Sequence, residues 1–355
     1  MEGKPTLEYF GATTFRLRAS GLTIFHDTWL DRPALMPEYL NINTVTDADY
    51  IVISHAHFDH LPGADRIARQ TGAIIIANCE AINRLRDAGV PETQLLPVSG
   101  GERIPLFTKD VLNAAKTGEV PLRQGPPGAP PEPHHSFAAA QIHVWPSLHC
   151  LLPGSHDTLP DVFDSGTVYT GSSTPFEGTV DVTRGMKYGL FRLKELIPTD
   201  AMDEKTSSFV NWMEDKKANV MSACDGGQLL FHVILGGGDG GEPRSIVFNA
   251  HLGAYEGIVK RIEPKPDIAV LGIAGRANLD GRPFDGSGAE FATELVKWMG
   301  EPGEVIWCLH DECLIKPYRV DTTAATAAVE KETRSRIVEL RPSRPYVMFS
   351  GESAK

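Results

Sequence analysis

The segment Ser54-His55-Ala56-His57-Phe58-Asp59-His60 places three histidines and an aspartate within six residues. It follows the apolar run Ile51-Val52-Ile53 and precedes Pro62-Gly63. That pattern predicts a loop at the C-terminal end of a buried strand, just ahead of a helix. Functional groups gather at such strand ends in α/β proteins. On extended backbone His55, His57 and Asp59 alternate onto one side, and a turn then brings His60 beside Asp59. Imidazole and carboxylate are ligands for zinc, manganese or iron. Two neighbouring ligand sets are expected, suited to ions roughly 3.5–4 Å apart. Four such groups would be costly to bury without partners, so a histidine-rich polar loop is the weaker reading.

His55-x-His57-x-Asp59-His60 resembles the hallmark of the metallo-β-lactamase superfamily. Gly11-Ala12-Thr13-Thr14-Phe15 and Ile24-Phe25-His26-Asp27 resemble the opening strands of one branch of it, which contains ascorbate-6-phosphate lactonase and N-acyl phosphatidylethanolamine phospholipase D. The resemblance runs from about residue 7 to 312, apart from a middle segment. It implies an α/β fold, a four-layer αβ/βα sandwich. It also implies a metal-dependent hydrolase, in which bound metal lowers the pKa of water from ~15.7 towards ~7 and supplies hydroxide. The lactonase implies a lactone or lactam substrate, the first choice here, and the phospholipase a phosphodiester. A member that binds metal or a ligand without turnover is a further alternative.

The resemblance also implies ligands elsewhere in the chain. A third histidine for the first ion should follow a middle strand, and Val144-Trp145-Pro146-Ser147-Leu148-His149 fits. His143 and His156 compete with it, one in mid-strand and the other in a looser loop. A last histidine should end a late strand, as His310 does in Val305-Ile306-Trp307-Cys308-Leu309-His310. The family's bridging aspartate has no counterpart. Ile246 to Gly253 puts His251 there, and the rival placement Thr170-Gly171-Ser172-Ser173 also lacks an acid. The implied set is therefore His55, His57 and His149 for one ion. Asp59, His60 and His310 serve a second, with His251 as fourth ligand or substrate contact. Asp59 and His251 are the candidate catalytic residues, Asp59 orienting the nucleophile. An imidazole gives one lone pair where a carboxylate can bridge two ions, so the second ion is expected to bind more weakly. The implied cofactor is zinc, one ion or two, with manganese or iron as alternatives. Asp27 matches an early family aspartate that orients a ligand histidine, or is an ordinary turn residue. His26 has no assigned role.

Strands alternating with helices must position these groups. Helices are expected over Ala64–Gln70, Glu80–Ala88, Gly253–Ile262 and Glu290–Met299, with Thr322–Leu340 mostly helical. A hairpin is expected from Gln228–Leu235 to Ser245–Asn249 across the glycines 236–241. Residues 105–135, with Gly125-Pro126-Pro127-Gly128, read as a surface loop. The whole chain, 1–355, reads as one domain with an insertion at about 151–225, part of which, Tyr169–Thr174, is expected to border the metal cleft. Trp29, Trp145 and Phe284 are candidates for an apolar pocket or for core. Of 355 residues, 41% are apolar and 23% charged, which excludes disorder as the main state. Acidic residues outnumber basic ones 46 to 34, a net charge of −12. That argues against a general nucleic-acid or anionic-membrane binder. No apolar run approaches the ~20 residues of a membrane span. The first residues lack the apolar core of a signal peptide, and five scattered cysteines read as reduced thiols. A cytoplasmic protein acting on a small molecule is expected, with no oligomeric state specified.

Overall fold

The computed structural model describes residues 4–152, 160–169, 181–236 and 242–350. His156, the stretch 170–173 and most of the 236–241 turn lie outside them.

Two seven-stranded sheets pack face to face. The first runs, in spatial order, Tyr346–Val347, Thr6–Tyr9, Phe15–Ala19, Leu22–His26, Tyr50–Ile53, Ile74–Ala77 and Leu95–Pro97. The second runs Arg336–Ile337, Glu304–Cys308, Ile268–Gly272, Arg244–Asn249, Leu229–Leu235, Ala140–Pro146 and Arg103–Leu106. The apolar runs read as buried strands are buried on both faces. In Tyr50–Ile53, Tyr50 and Val52 face the second sheet, while Ile51 and Ile53 pack beneath helices. Phe15, Leu17 and Ile24 of one sheet meet Phe231, Val233 and Phe248 of the other in the inter-sheet core. Full burial of each such side chain contributes about 1.5–3 kcal/mol. Helices Ala64–Thr71 and Cys79–Asp87 cover the outer face of the first sheet; Gly288–Trp298 and Thr323–Glu332 cover that of the second. Helix, sheet, sheet and helix make the four expected layers.

Several local expectations change. A helix spans Lys109–Thr117 inside the supposed loop 105–135, capped by Thr108, whose side chain accepts from Val111 N. Residues 253–262 hold only a short strand, Gly253–Ala254, and one helical turn, Glu256–Val259. The last helix stops at Glu332, and residues 336–337 add an edge strand. Within 151–225, helices Asp181–Tyr188 and Glu204–Glu214 lie on the metal-motif side, where Phe209 and Trp212 pack with Trp29 and Phe58.

Candidate metal centre

The motif leaves the Tyr50–Ile53 strand and is pinned from two sides. Ala56 N donates to Asp225 O (3.0 Å), and Ser222 N to Ala56 O (2.8 Å). Asn78 caps the Cys79–Asp87 helix and donates to Asp225 O and Gly227 O, both at 2.8 Å. The expected turn brings His60 back: Leu61 N donates to His57 O (3.1 Å), and His60 Nε2 lies 3.3 Å from Asp59 Oδ2. Gly63, at φ 97°, starts the following helix so close to Thr28 that a Cβ there would meet Thr28 O at 2.7 Å. Only glycine suits that position.

The other histidines come from the second sheet. His149 follows the Ala140–Pro146 strand and His251 the Arg244–Asn249 strand. A web of buried amides holds their loops together. Ser147 Oγ donates to Asn249 Oδ1 (2.8 Å), Asn249 Nδ2 to His251 O (3.1 Å), and Asn278 Nδ2 to His149 O (2.8 Å). The His149 and His251 rings consequently sit 3.7 Å apart, centroid to centroid.

Three overlapping sets of donor atoms result, one of them His149, Cys150 and His251. His55 Nε2 is 3.0 Å from His57 Nδ1, which is 3.2 Å from His149 Nε2. Four tetrahedral ligands at 2.0–2.1 Å from zinc lie roughly 3.3 Å from one another, so this set fits such an ion. His149 Nδ1–H donates to Cys150 O (2.7 Å), leaving Nε2 as the free lone pair. His55, His60 and His251 form the second set. Nε2 of His251 is buried and makes no hydrogen bond among the described residues, and the buried Nε2 of His60 meets only the Asp59 carboxylate, at 3.3 Å. Such groups are expensive to bury unless something else meets them, and their chemistry fits a divalent ion. Burial first, and the neighbouring imidazoles second, push His55 and His251 well below the usual histidine range. Burial and then His149 do the same to His57. These rings are neutral at pH 7, as metal ligands must be. Burial works against a charge on His60, but Asp59 and Asp27 outweigh it and raise His60 to about 10, so an ion at its Nε2 would have to displace a proton. Burial also opposes ionisation of Asp59, yet His60 holds it below the ordinary carboxylate value.

Asp27, at φ 50°, accepts from Ser54 N (2.8 Å), Ser54 Oγ (2.9 Å) and His60 Nδ1 (2.7 Å). It is a buried hydrogen-bond hub, not an ordinary turn aspartate. His26 stays out of the cluster, its Nδ1 3.0 Å from Thr13 O and its ring stacked on Phe248.

His310 is the correction. It is in none of these donor sets. Leu309 adopts φ 58°, and Ala12 holds both flanks: Leu309 N donates to Ala12 O, and Ala12 N to Asp311 Oδ1, each at 2.8 Å. Leu309 and Asp311 therefore line the metal cleft. His310 turns away, parallel to Tyr9 at 6.2 Å, into a separate 420 Å³ cavity. Asp311 is in turn bound by Arg32 Nη1 at 3.2 Å.

Sequence reasoning passed over Cys150, whose Sγ lies 3.4 Å from His251 Nδ1, and Thr13, whose Oγ1 lies 2.9 Å from His60 Nδ1. Position beside a candidate ligand was the signal for Cys150. Trp29 borders the cleft; Trp145 and Phe284 pack against the core of the second sheet. His143 faces away from the motif, its Nε2 2.9 Å from Gln141 Oε1.

Comparison with known proteins agrees with this fold. A family model described as the metallo-beta-lactamase superfamily matches residues 30–234, more than half of the chain. A UPF0173 metal-dependent hydrolase of Pyrobaculum islandicum is 35% identical over 118 residues, 32% of this chain and 52% of that protein. One of Pyrobaculum calidifontis is 32% identical over 168 residues, 47% of this chain and 61% of that protein. The chain thus spans between half and two thirds of the length of these curated relatives. Among solved structures, Igni18, a metallo hydrolase from Ignicoccus hospitalis, aligns over 97% of this chain and 98% of its own, with TM-score 0.50 and 17% identity. CmlA, a diiron beta-hydroxylase from Streptomyces venezuelae, aligns over 98% of this chain and 55% of its own, with TM-score 0.50 and 13% identity. Those two likenesses concern the fold. No helix among the described residues is long and apolar enough to cross a membrane. With the motif, the four layers and the matched span in agreement, the chain belongs to the metallo-beta-lactamase superfamily.

Proposed function

We propose that this chain is a metal-dependent hydrolase of small molecules, acting on a cyclic ester or amide of the lactone or lactam type. The observation that carries the reading is the convergence of His55 Nε2, His57 Nδ1 and His149 Nε2 within 3.0–3.2 Å steps. His55, His57 and His149 would hold one ion; His60, Asp59 and His251 would hold a second. A bound divalent ion acidifies water and polarises a carbonyl oxygen. Zinc suits the imidazole-rich set, with manganese and iron as the other candidates. The chain supplies the rest. Asp59, ionised at neutral pH and open to the cleft, accepts a proton-bearing oxygen and orients it for attack. Asp27 and Thr13 fix the His60 ring through Nδ1, so that Nε2 faces inward. His251 presents its Nε2 on the opposite wall, where it ligates or touches substrate. The apolar cleft wall limits competing water.

The likeness of residues 11–15 and 24–27 to the lactonase and phospholipase branch supports the substrate order, lactone or lactam before phosphodiester. Metal analysis of the purified protein, then a turnover screen across lactones, lactams and phosphodiesters, tests the reading. Metal-dependent turnover of a lactone or lactam is expected. Turnover of phosphodiesters alone would replace the substrate class, and stoichiometric metal with no turnover of any member would make the protein a binder.

A further inference from the structure

The cleft before Asp59, His149 and His251 encloses 190 Å³. Its walls are mainly apolar, from Trp29, Phe58, Met186, Leu309, Ile315 and Val320. Phe58 sits inside the motif, between His57 and Asp59. Trp29 meets its ring edge-on at 5.8 Å and Phe209 at 5.4 Å, which makes Phe58 part of a fixed platform.

The charged groups on the same walls are unequally committed. Asp311 is held by Arg32 and by Ala12 N. Lys316 pairs with Asp161 at 2.9 Å. Glu312 is exposed at the mouth. Arg319, on the strand Arg319–Asp321, is exposed and stands between the cleft and the His310 cavity, lining both; among the described residues its guanidinium makes neither an ion pair nor a hydrogen bond. Ligand pockets combine apolar surface with a few placed polar groups that fix orientation. A guanidinium fork suits carboxylate or phosphate geometry.

We propose that the cleft takes an amphiphilic anion, with an apolar group on the Trp29–Phe58–Met186 wall and a carboxylate or phosphate on Arg319. This rests on the hydrolase reading for placing the scissile bond at Asp59, His149 and His251; the binding pattern itself does not need turnover. Arg319 is then a specificity residue for that reaction.

Calorimetric titration of the zinc-loaded protein with acetate, octanoate, octyl phosphate and octanamide tests it. Octanoate should bind at least tenfold more tightly than acetate, since its added methylenes leave water. Arg319→Gln should weaken octanoate and octyl phosphate about tenfold and leave octanamide unchanged. Lys116→Gln, on the Lys109–Thr117 helix and not part of the cleft lining, should leave all four unchanged. Met186→Ser, at a part-buried position, should weaken the three octyl ligands alike and spare acetate. Equal affinity for acetate and octanoate, or an Arg319→Gln loss shared by octanamide, would overturn the proposal. A protein that shows this pattern yet hydrolyses nothing in the turnover screen keeps the proposal and loses the hydrolase reading. The reverse result does the opposite.

Discussion

Asp27 Oδ2 lies 2.7 Å from His60 Nδ1, and both side chains are fully buried. The carboxylate, pulled down to about 2 by His26 and His60 despite its burial, is a fixed negative charge behind a candidate ligand ring. Asp27→Asn keeps the shape and tolerates the left-handed backbone, but removes that charge. Metal affinity should fall 10–100-fold with the circular dichroism spectrum unchanged. Competition with a fluorescent chelator measures it, and wild-type affinity in the variant would show that Asp27 merely supports Ser54.

The set around His60 and His251 gains nothing from His310, which faces Tyr9 instead of the cluster. At one equivalent, zinc should fill the His55–His57–His149 set first. His149→Ala should lose at least one ion per chain by mass spectrometry of the native protein, whereas His310→Ala should lose none. His251→Asp adds a negative charge and should slow chelator extraction of the second ion. Loss of metal in His310→Ala would mean that the loop rearranges on loading.

These contrasts mark what the sequence discloses. The motif, the strand before it and His149 at a strand end are local patterns, and they fold as their periodicity and residue types dictate. The orientation of His310 depends on one left-handed residue, Leu309, and on Ala12, about three hundred positions away in sequence. No local pattern encodes that pairing. The amide web of Ser147, Asn249 and Asn278 is equally non-local. The Lys109–Thr117 helix was legible in its Thr108 cap and its alanines, but the neighbouring proline-rich run masked it.

His232 is buried with neither ring nitrogen hydrogen-bonded among the described residues; His143 stands 5.8 Å away across the strand pair. Burial first, then His143 and Arg103, push it down to about 3. Above pH 6.5 neither folded nor unfolded chain protonates it. Below that, the unfolded chain takes up a proton that the folded chain refuses, so stability falls as pH falls, down to about pH 3. Between pH 6.5 and 5 the loss from this residue is about 2 kcal/mol. Urea unfolding of wild type and His232→Leu across that range should show the variant less pH-sensitive by this amount. Parallel pH curves would refute the assignment.

A Cβ on Gly253 would meet Leu148 O at 2.3 Å and His149 O at 3.1 Å. Gly253→Ala must therefore spread the loops that carry His149 and His251. Stability should fall by roughly 1–3 kcal/mol, the range for overpacking a tight site. Zinc affinity should fall with it, more than in Gly257→Ala, where nothing lies within 4 Å. Thermal melts with and without zinc on both variants provide the comparison.

The ligand candidates His55, His57 and His60 lie in the loop after a strand of one sheet, and His149 and His251 in loops after strands of the other. An ion bound by both sets is a cross-brace between the two halves of the sandwich, on the far rim from their shared apolar interior. Separating the sheets would then require breaking coordination bonds. Binding to the native state alone adds about 4 kcal/mol when free metal exceeds its dissociation constant a thousandfold. The stripped protein should therefore open along that rim and be cut by protease sooner than the loaded one, with cuts starting in the loops around His149 and His251. The same groups that equip the cleft for chemistry would thus set how long the molecule survives.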